Sequence, residues 1–373
     1  MDLRSKFEGL VGRLRGLHPL LKPASILWAL FYAALAIALA SVRGTGTLVV
    51  DDDSFALVEL ILVAGTALSL LREHLLRPLD RLADSDDLKK KLLGRAIPVV
   101  RDVAILAGLI AATTLTLELP WNTNFSEVDP SLIGLDRLVV AIVLVGAYFV
   151  GQRRGAVLAA AVAALDALGI AQGFMLALKG TAILPSDLMA LGTAAAVGGS
   201  FTYEATPQIA QGIVALAASL VACMLMRPSG KSPVRPWLRF ACTALVAIIC
   251  VNFCVNAYNT CDIRDQYGTS IDYWWPINSY YEQGFMPTFL TMAQDMKISV
   301  PQGYTDEEAE ATESSLAQAY DESSDPATTA ARQEQFSSMK PSVVFVMNET
   351  FSDLSRIYGD LGVGYEGPTY FKS

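Results

Sequence analysis

The sequence predicts a polytopic α-helical membrane domain followed by the first strand of an α/β extracytoplasmic domain. Three observations predict it. Apolar residues make up 53% of the 373 residues and charged residues only 17%. Mean hydropathy is +0.39, and the excess lies before residue 260, where several windows approach the ~20 apolar residues that cross a bilayer core. Basic residues crowd the N-terminus and alternate loops, whereas acidic residues crowd the remaining loops and the stretch after Thr305. Finally, Val343-Val-Phe-Val-Met347 is a short, β-branched run without polar alternation, followed at once by Asn348, Glu349 and Thr350. Such a run reads as a strand buried on both faces of a parallel sheet, and open α/β sheets place their chemistry at the carboxyl ends of such strands.

The membrane elements follow in order. Arg4, Lys6, Arg13, Arg15 and Lys22 put the N-terminus in the cytoplasm by the positive-inside rule. Spans are expected over residues 25–42 and 54–71, then 97–117 and 132–150, then 156–178, 208–226 and 237–256, about seven in all. Between the second and third lies the most basic loop, with Arg72, Arg77, Arg81, Lys89, Lys90, Lys91 and Arg95. Residues 179–207 are broken by Pro185, Gly198, Gly199 and Pro207, and charge parity requires this segment to begin and end outside. It reads as a further span, a re-entrant piece or an interfacial loop. Everything after residue 260 is delivered to the outer face.

Residues 261–304 form an outer-surface stem. Its Tyr273-Trp-Trp-Pro-Ile-Asn-Ser-Tyr-Tyr281 run suits either the headgroup layer or a packed aromatic core. Residues 305–340 are acidic. Thr305 and Glu308 form a capping box that starts a helix at about Asp306 and carries it to about Tyr320. Asp325-Pro326 breaks it, and the remainder reads as linker.

The net charge of −9 sums two compartments, and no extended basic and aromatic surface argues for nucleic acid. The five cysteines lack metal-ligand spacing and read as small hydrophobes. His18 and His74 fall on the cytoplasmic side, where neither completes an outer site. Within or near the spans, Arg101-Asp102 lies close to a cytoplasmic end and Asp136-Arg137 close to an outer end, so snorkelling or pairing accounts for both. Asp166 is deeper, and is expected either to pair with a cation on another helix or to line a lipid-headgroup cavity.

Four stretches carry a resemblance. Asn348-Glu-Thr-Phe-Ser-Asp-Leu354 after an apolar strand resembles the first metal-ligand motif of the lipoteichoic acid synthase family, membrane-anchored phosphoglycerol transferases of the sulfatase and alkaline phosphatase superfamily. Lys179-Gly-Thr-Ala-Ile-Leu-Pro-Ser-Asp-Leu188 resembles its membrane-domain motif. Tyr281-Glu-Gln-Gly-Phe285 and Pro301-Gln-Gly-Tyr304 resemble the stem leading to its catalytic domain. The resemblance implies that 341–373 begin an alkaline phosphatase/sulfatase-like domain in which Glu349 is a ligand of Mn²⁺ or Mg²⁺. Oxygen ligands suit such hard ions, and a bound ion polarises a phosphoryl oxygen.

Asn348 and Asp353 would orient that loop. Lys179, Asp187 and Asp166 are candidates for headgroup contact. Thr350 is not the implied nucleophile, because the family's nucleophilic Thr follows a later Gly-rich turn, beyond Ser373. On this reading glycerophosphate passes from phosphatidylglycerol to a glycolipid or teichoic acid acceptor, and the chain ending at Ser373 is a truncated, inactive member. Other readings are a sulfatase-like hydrolase or phosphoethanolamine transferase, a lipid transporter, or a non-catalytic membrane fragment.

Overall fold

A computed structural model describes residues 22–338, except 84, 200, 228–235, 298–299 and 301–302. Among the described residues, eleven α-helices and two short strands precede residue 298: α1 (Pro23–Gly44), β1 (Leu48–Val49), α2 (Asp52–Ala83), α3 (Leu88–Glu118), α4 (Pro130–Val150), α5 (Gly155–Lys179), α6 (Leu191–Gly198), β2 (Tyr203–Glu204), α7 (Pro207–Met224) and α8 (Pro236–Asn259) lead into the stem, where α9 (Ile263–Tyr267) and α10 (Pro276–Gln283) are followed by α11 (Phe285–Asp295). The described residues after 299 belong to a separate compact unit, with helices α12 (Asp306–Ser323) and α13 (Pro326–Ser338).

Among the described residues six helices, α1 to α5 and α7, are long and apolar enough to cross a membrane, which makes this a multi-pass membrane protein. In α8 the apolar stretch Phe240–Asn256 is shorter. Each expected span is found as a helix, but α2 and α3 run past their apolar cores. The expected basic loop is therefore largely helical: Arg72, Arg77 and Arg81 lie on α2, and Lys89, Lys90, Lys91 and Arg95 on α3. Asp87 starts α3 by accepting from the Lys89 amide at 2.9 Å, satisfying one of the free amides of a helix start.

Helix α5 is the centre of the bundle, packed against α3, α4 and α7, while α1 pairs with α2 and α8 lies on α4. Lipid tails are as apolar as leucine, so membrane helices associate through close backbone approach rather than hydrophobic expulsion. Gly169 of α5 shows this. A Cβ there would come within 2.2 Å of the Thr116 carbonyl oxygen and 2.6 Å of the Leu117 Cα on α3. Gly169→Leu is therefore expected to cost at least about 1–3 kcal/mol, read as thermal unfolding in detergent. Gly108→Leu, where a Cβ meets nothing within 4 Å, is expected to leave the transition unmoved.

Among the described residues, the segment between α5 and α7 holds no helix long and apolar enough to cross a membrane. Its helical pieces are a 3₁₀ turn, Pro185–Ala190, and the eight-residue α6, about 12 Å of helix. β2 then pairs in parallel with β1, Leu48 opposite Tyr203 and Val49 opposite Glu204. The segment thus joins the loop between α1 and α2 and returns to the end of the bundle it left, as charge parity required. Leu188, Met189, Leu191 and Phe201 remain exposed along it.

Asp166 and Asp136 are not paired with cations among the described residues. Asp166, midway along α5, is fully buried, and neither carboxylate oxygen has a hydrogen-bond partner. No cation pairs with it among the described residues. Asp136 is fully buried too, and its partner is a backbone amide of the stem. Pairing does hold for Asp102, which accepts from Arg101, Arg153 and Tyr148. Of the cysteines, all free, only Cys223 is buried; Cys242, Cys254 and Cys261 are exposed.

In the second unit, Thr305 accepts from the Glu308 amide and α12 follows, as its sequence predicts. The expected linker after Asp325-Pro326 is instead helix α13. Proline ends one helix but is well placed at the first position of the next, where its missing N–H costs nothing. Asp325 caps that start through the Thr328 amide. Arg332 bonds Asp321 at 3.0 Å and lies over the Tyr320 ring, tying α13 to α12.

Candidate functional site: the seat of the stem

The bundle has two ends. One carries Lys22, Arg72, Arg153, Arg154 and Arg227; the other carries Asp51, Glu118 and Asp129, and receives the stem. The candidate site lies at this second, acidic end.

Glu118 closes α3, and Asp136 lies in the second turn of α4. Both are fully buried and point at the start of α11. Glu118 Oε1 accepts from the Phe285 amide at 2.6 Å, and Asp136 Oδ1 from the Met286 amide at 2.8 Å. The first amides of a helix have no partner within it and carry its positive end, so two carboxylates from membrane helices suit them on both counts. The Asn122 side-chain amide donates to Glu118 Oε2 at 3.2 Å. The Glu118 and Asp136 carboxyl groups also lie within reach of each other.

Gly284 makes the approach possible. Its φ of 85° and ψ of 175° belong to a region that is essentially glycine's alone. A Cβ there would come 2.8 Å from Asp136 Oδ2 and 3.3 Å from Glu118 Oε1.

The 179–188 motif meets the same seat. Gly180 ends α5 in the left-handed conformation, with its amide on the Leu176 carbonyl. The chain then turns inward, burying Ala182 and Ile183. The buried Gln172 side chain of α5 accepts from the Ile183 amide at 2.7 Å, and the Tyr280 hydroxyl donates to the Ile183 carbonyl at 2.7 Å. Burial pushes the pKa of that hydroxyl up, and the Asp187 and Glu118 carboxylates add to the effect, so Tyr280 keeps its proton and remains a donor. Asp187 accepts from the Leu184 amide at 2.8 Å, capping the 3₁₀ turn. Around Tyr280 pack Trp121 at 6.0 Å and Phe285 at 5.6 Å between ring centroids.

The aromatic run is divided in burial: Tyr280 is fully buried, whereas Trp274 is 90% and Trp275 67% exposed. Gln283 pins the stem to itself, accepting from the Ser270 amide at 2.9 Å and donating to its carbonyl at 2.6 Å. Arg264 bonds Asp295 at 2.6 Å, and the Tyr273 hydroxyl shares that carboxylate. Desolvation and the Asp295 carboxylate push the pKa of Tyr273 up.

Of the residues singled out by sequence, Asp187 reaches the seat and Lys179 stands exposed at the end of α5. Asp166 lies about 20 Å back along the same helix, near Thr113 of α3 and Cys223 of α7. Glu349, Asn348 and Asp353 lie outside the described residues. Among those described, no three His, Cys, Asp or Glu side chains converge where a metal ion would sit. Sequence reasoning missed Glu118 and Asn122, named Tyr280 only as part of the aromatic run, and explained Asp136 by snorkelling or pairing rather than by a backbone amide. The available signal was a carboxylate at each of two adjoining span ends with few cations nearby.

No protein-family model, no curated protein and no solved structure matches the chain.

Proposed function

We propose that residues 22–297 are the anchor and stem of a phosphoglycerol transferase of the lipoteichoic acid synthase type, working at the outer face on phosphatidylglycerol. One observation carries this reading. Two of the stretches that resemble that family, 179–188 and 281–285, lie about a hundred residues apart yet belong to one seat: Tyr280, adjoining the second, donates to Ile183 within the first, and Gly284 and Phe285 rest on Glu118 and Asp136. A transferase that draws its donor from the bilayer needs its soluble part held at a fixed height, and a stem clamped by membrane helices supplies that. Trp274 and Trp275 add a headgroup-layer anchor beside it.

In this reading Glu349 would hold Mn²⁺ or Mg²⁺, with Asn348 and Asp353 orienting its loop; the ion would offset phosphoryl charge. The test uses the complete gene product in phosphatidylglycerol vesicles. Diacylglycerol release should require the divalent ion and be lost in Glu349→Ala. No release with either Mn²⁺ or Mg²⁺ would contradict the proposal.

A second reading, a lipid transporter, is favoured by Asp166 alone. A buried carboxylate without a partner inside a membrane bundle is a functional candidate by default. It is distinguished by headgroup movement across vesicles that is lost in Asp166→Asn and retained in Glu349→Ala.

A further inference from the structure

At the basic end, four helix ends enclose a second feature: the starts of α1 and α5 and the later parts of α2 and α7. Between them lies a cavity of about 720 Å³, within the range of small-molecule sites, roughly 300–1,000 Å³. Its wall is Leu27, Trp28 and Phe31 of α1 on one side and the alanines of α5 on the other. Leu27 and Phe31 are 53% and 43% exposed, so this wall is continuous with the bundle's lipid-facing surface. The opposite extremity is polar. Of its five charged residues, four are cations, Lys22, Arg72, Arg154 and Arg227, against Glu73.

Glu73 is committed. It is bonded by Lys22 at 2.7 Å and by Arg227 at 3.0 Å. Arg72 is only 5% exposed, and although one terminal nitrogen donates to the Met226 carbonyl at 3.0 Å, its Nε has no partner. A buried guanidinium N–H left without an acceptor is costly and calls for one. Beside it, Arg154 precedes the 25-residue helix α5 without a side-chain cap, leaving the helix's first amides and positive end toward the same space, a ready anion site.

We propose that this cavity binds one net-anionic phospholipid of the adjoining leaflet. The phosphodiester lies at Arg72, Arg154 and the start of α5, and an acyl chain runs along Leu27, Trp28 and Phe31. Apolar wall and cationic end match the two ends of such a lipid, and guanidinium groups suit phosphate oxygens geometrically as well as by charge. The site is at the opposite end of the bundle from the stem, and it stands whether or not the transferase reading holds.

The test is native mass spectrometry of the full chain from nanodiscs of phosphatidylcholine with phosphatidylglycerol of identical acyl chains. Arg154→Gln removes an exposed charge, and Ala160→Phe fills the cavity from an exposed position of α5; neither disturbs the Arg72–Met226 bond. Wild-type chain should retain one phosphatidylglycerol at least tenfold more than phosphatidylcholine, and each variant should lower that retention at least fivefold. Millimolar inorganic phosphate should not displace it. Equal retention of the two lipids, unchanged retention in both variants, or displacement by phosphate would each overturn the proposal, the last by assigning the site to the free ion.

Discussion

Gly284→Ala is expected to release the stem from the membrane bundle. The substitution places a methyl group 2.8 Å from Asp136 Oδ2 at a backbone conformation of φ 85° and ψ 175°. The conformation alone costs an L-residue about 1–3 kcal/mol. The collision then moves α11 off its two acceptors, leaving buried carboxylates that have lost their donors, at a further ~1–3 kcal/mol for each. Together these remove much of the attachment of α10 and α11, whose Tyr280, Phe285 and Met286 are buried against the bundle, so the stem loosens while α1 to α7 stay folded. Limited proteolysis should show cleavage within 261–297 at rates at least tenfold above wild type, with the bundle's thermal transition little changed. Gly268→Asn is the control. Gly268 has φ 67° with open space around it, a conformation asparagine tolerates, and no cleavage should follow. If Gly284→Ala were as resistant as wild type, the seat as described would be wrong.

Asp166→Leu should have the opposite sign and raise stability. A buried carboxylate with neither oxygen hydrogen-bonded has given up hydration without compensation. Replacing buried ionic groups with apolar side chains of similar volume has stabilised other proteins by about 1–4 kcal/mol, and a carboxylate without a partner stands at the upper end of that range. Thermal unfolding in a fixed detergent measures it. A rise in the midpoint accompanied by loss of lipid-dependent activity would mark Asp166 as a group retained for function at the expense of stability. A fall in the midpoint would mean that a partner holds the carboxylate and that its role is structural.

The limits of the sequence are set by what its signals encode. Apolar length and loop charge are local, so the helices appeared where predicted, and Pro185 and Pro207 marked a broken segment without deciding among a span, a re-entrant piece and a loop. The two-residue pairing of β1 with β2 leaves no trace, because strands that short have no alternation to read. The continuation of α2 and α3 beyond their apolar cores was hidden by the same basic residues that set the topology. Pro326 was read as a stop when it is also a start. The seat of the stem was least legible. Glu118 and Asp136 are visible as carboxylates near span ends, but their partners are backbone amides 167 and 150 residues away, and a backbone amide has no letter in the sequence. Asp136 was explained by snorkelling or pairing for that reason. Gly284 was noticed through resemblance, while its physical role, a backbone conformation beside a carboxylate, emerges only in three dimensions.

The clamp between two membrane-helix carboxylates and the first turn of α11 is the joint on which the account depends, and amide hydrogen exchange over residues 284–292 in nanodiscs tests it most directly. The account predicts strong protection in the wild-type protein, with exchange at least tenfold faster in Asp136→Ala and faster still when Glu118→Ala is added. Exchange at unprotected rates in the wild-type protein, or protection unaffected by removal of both carboxylates, would contradict it.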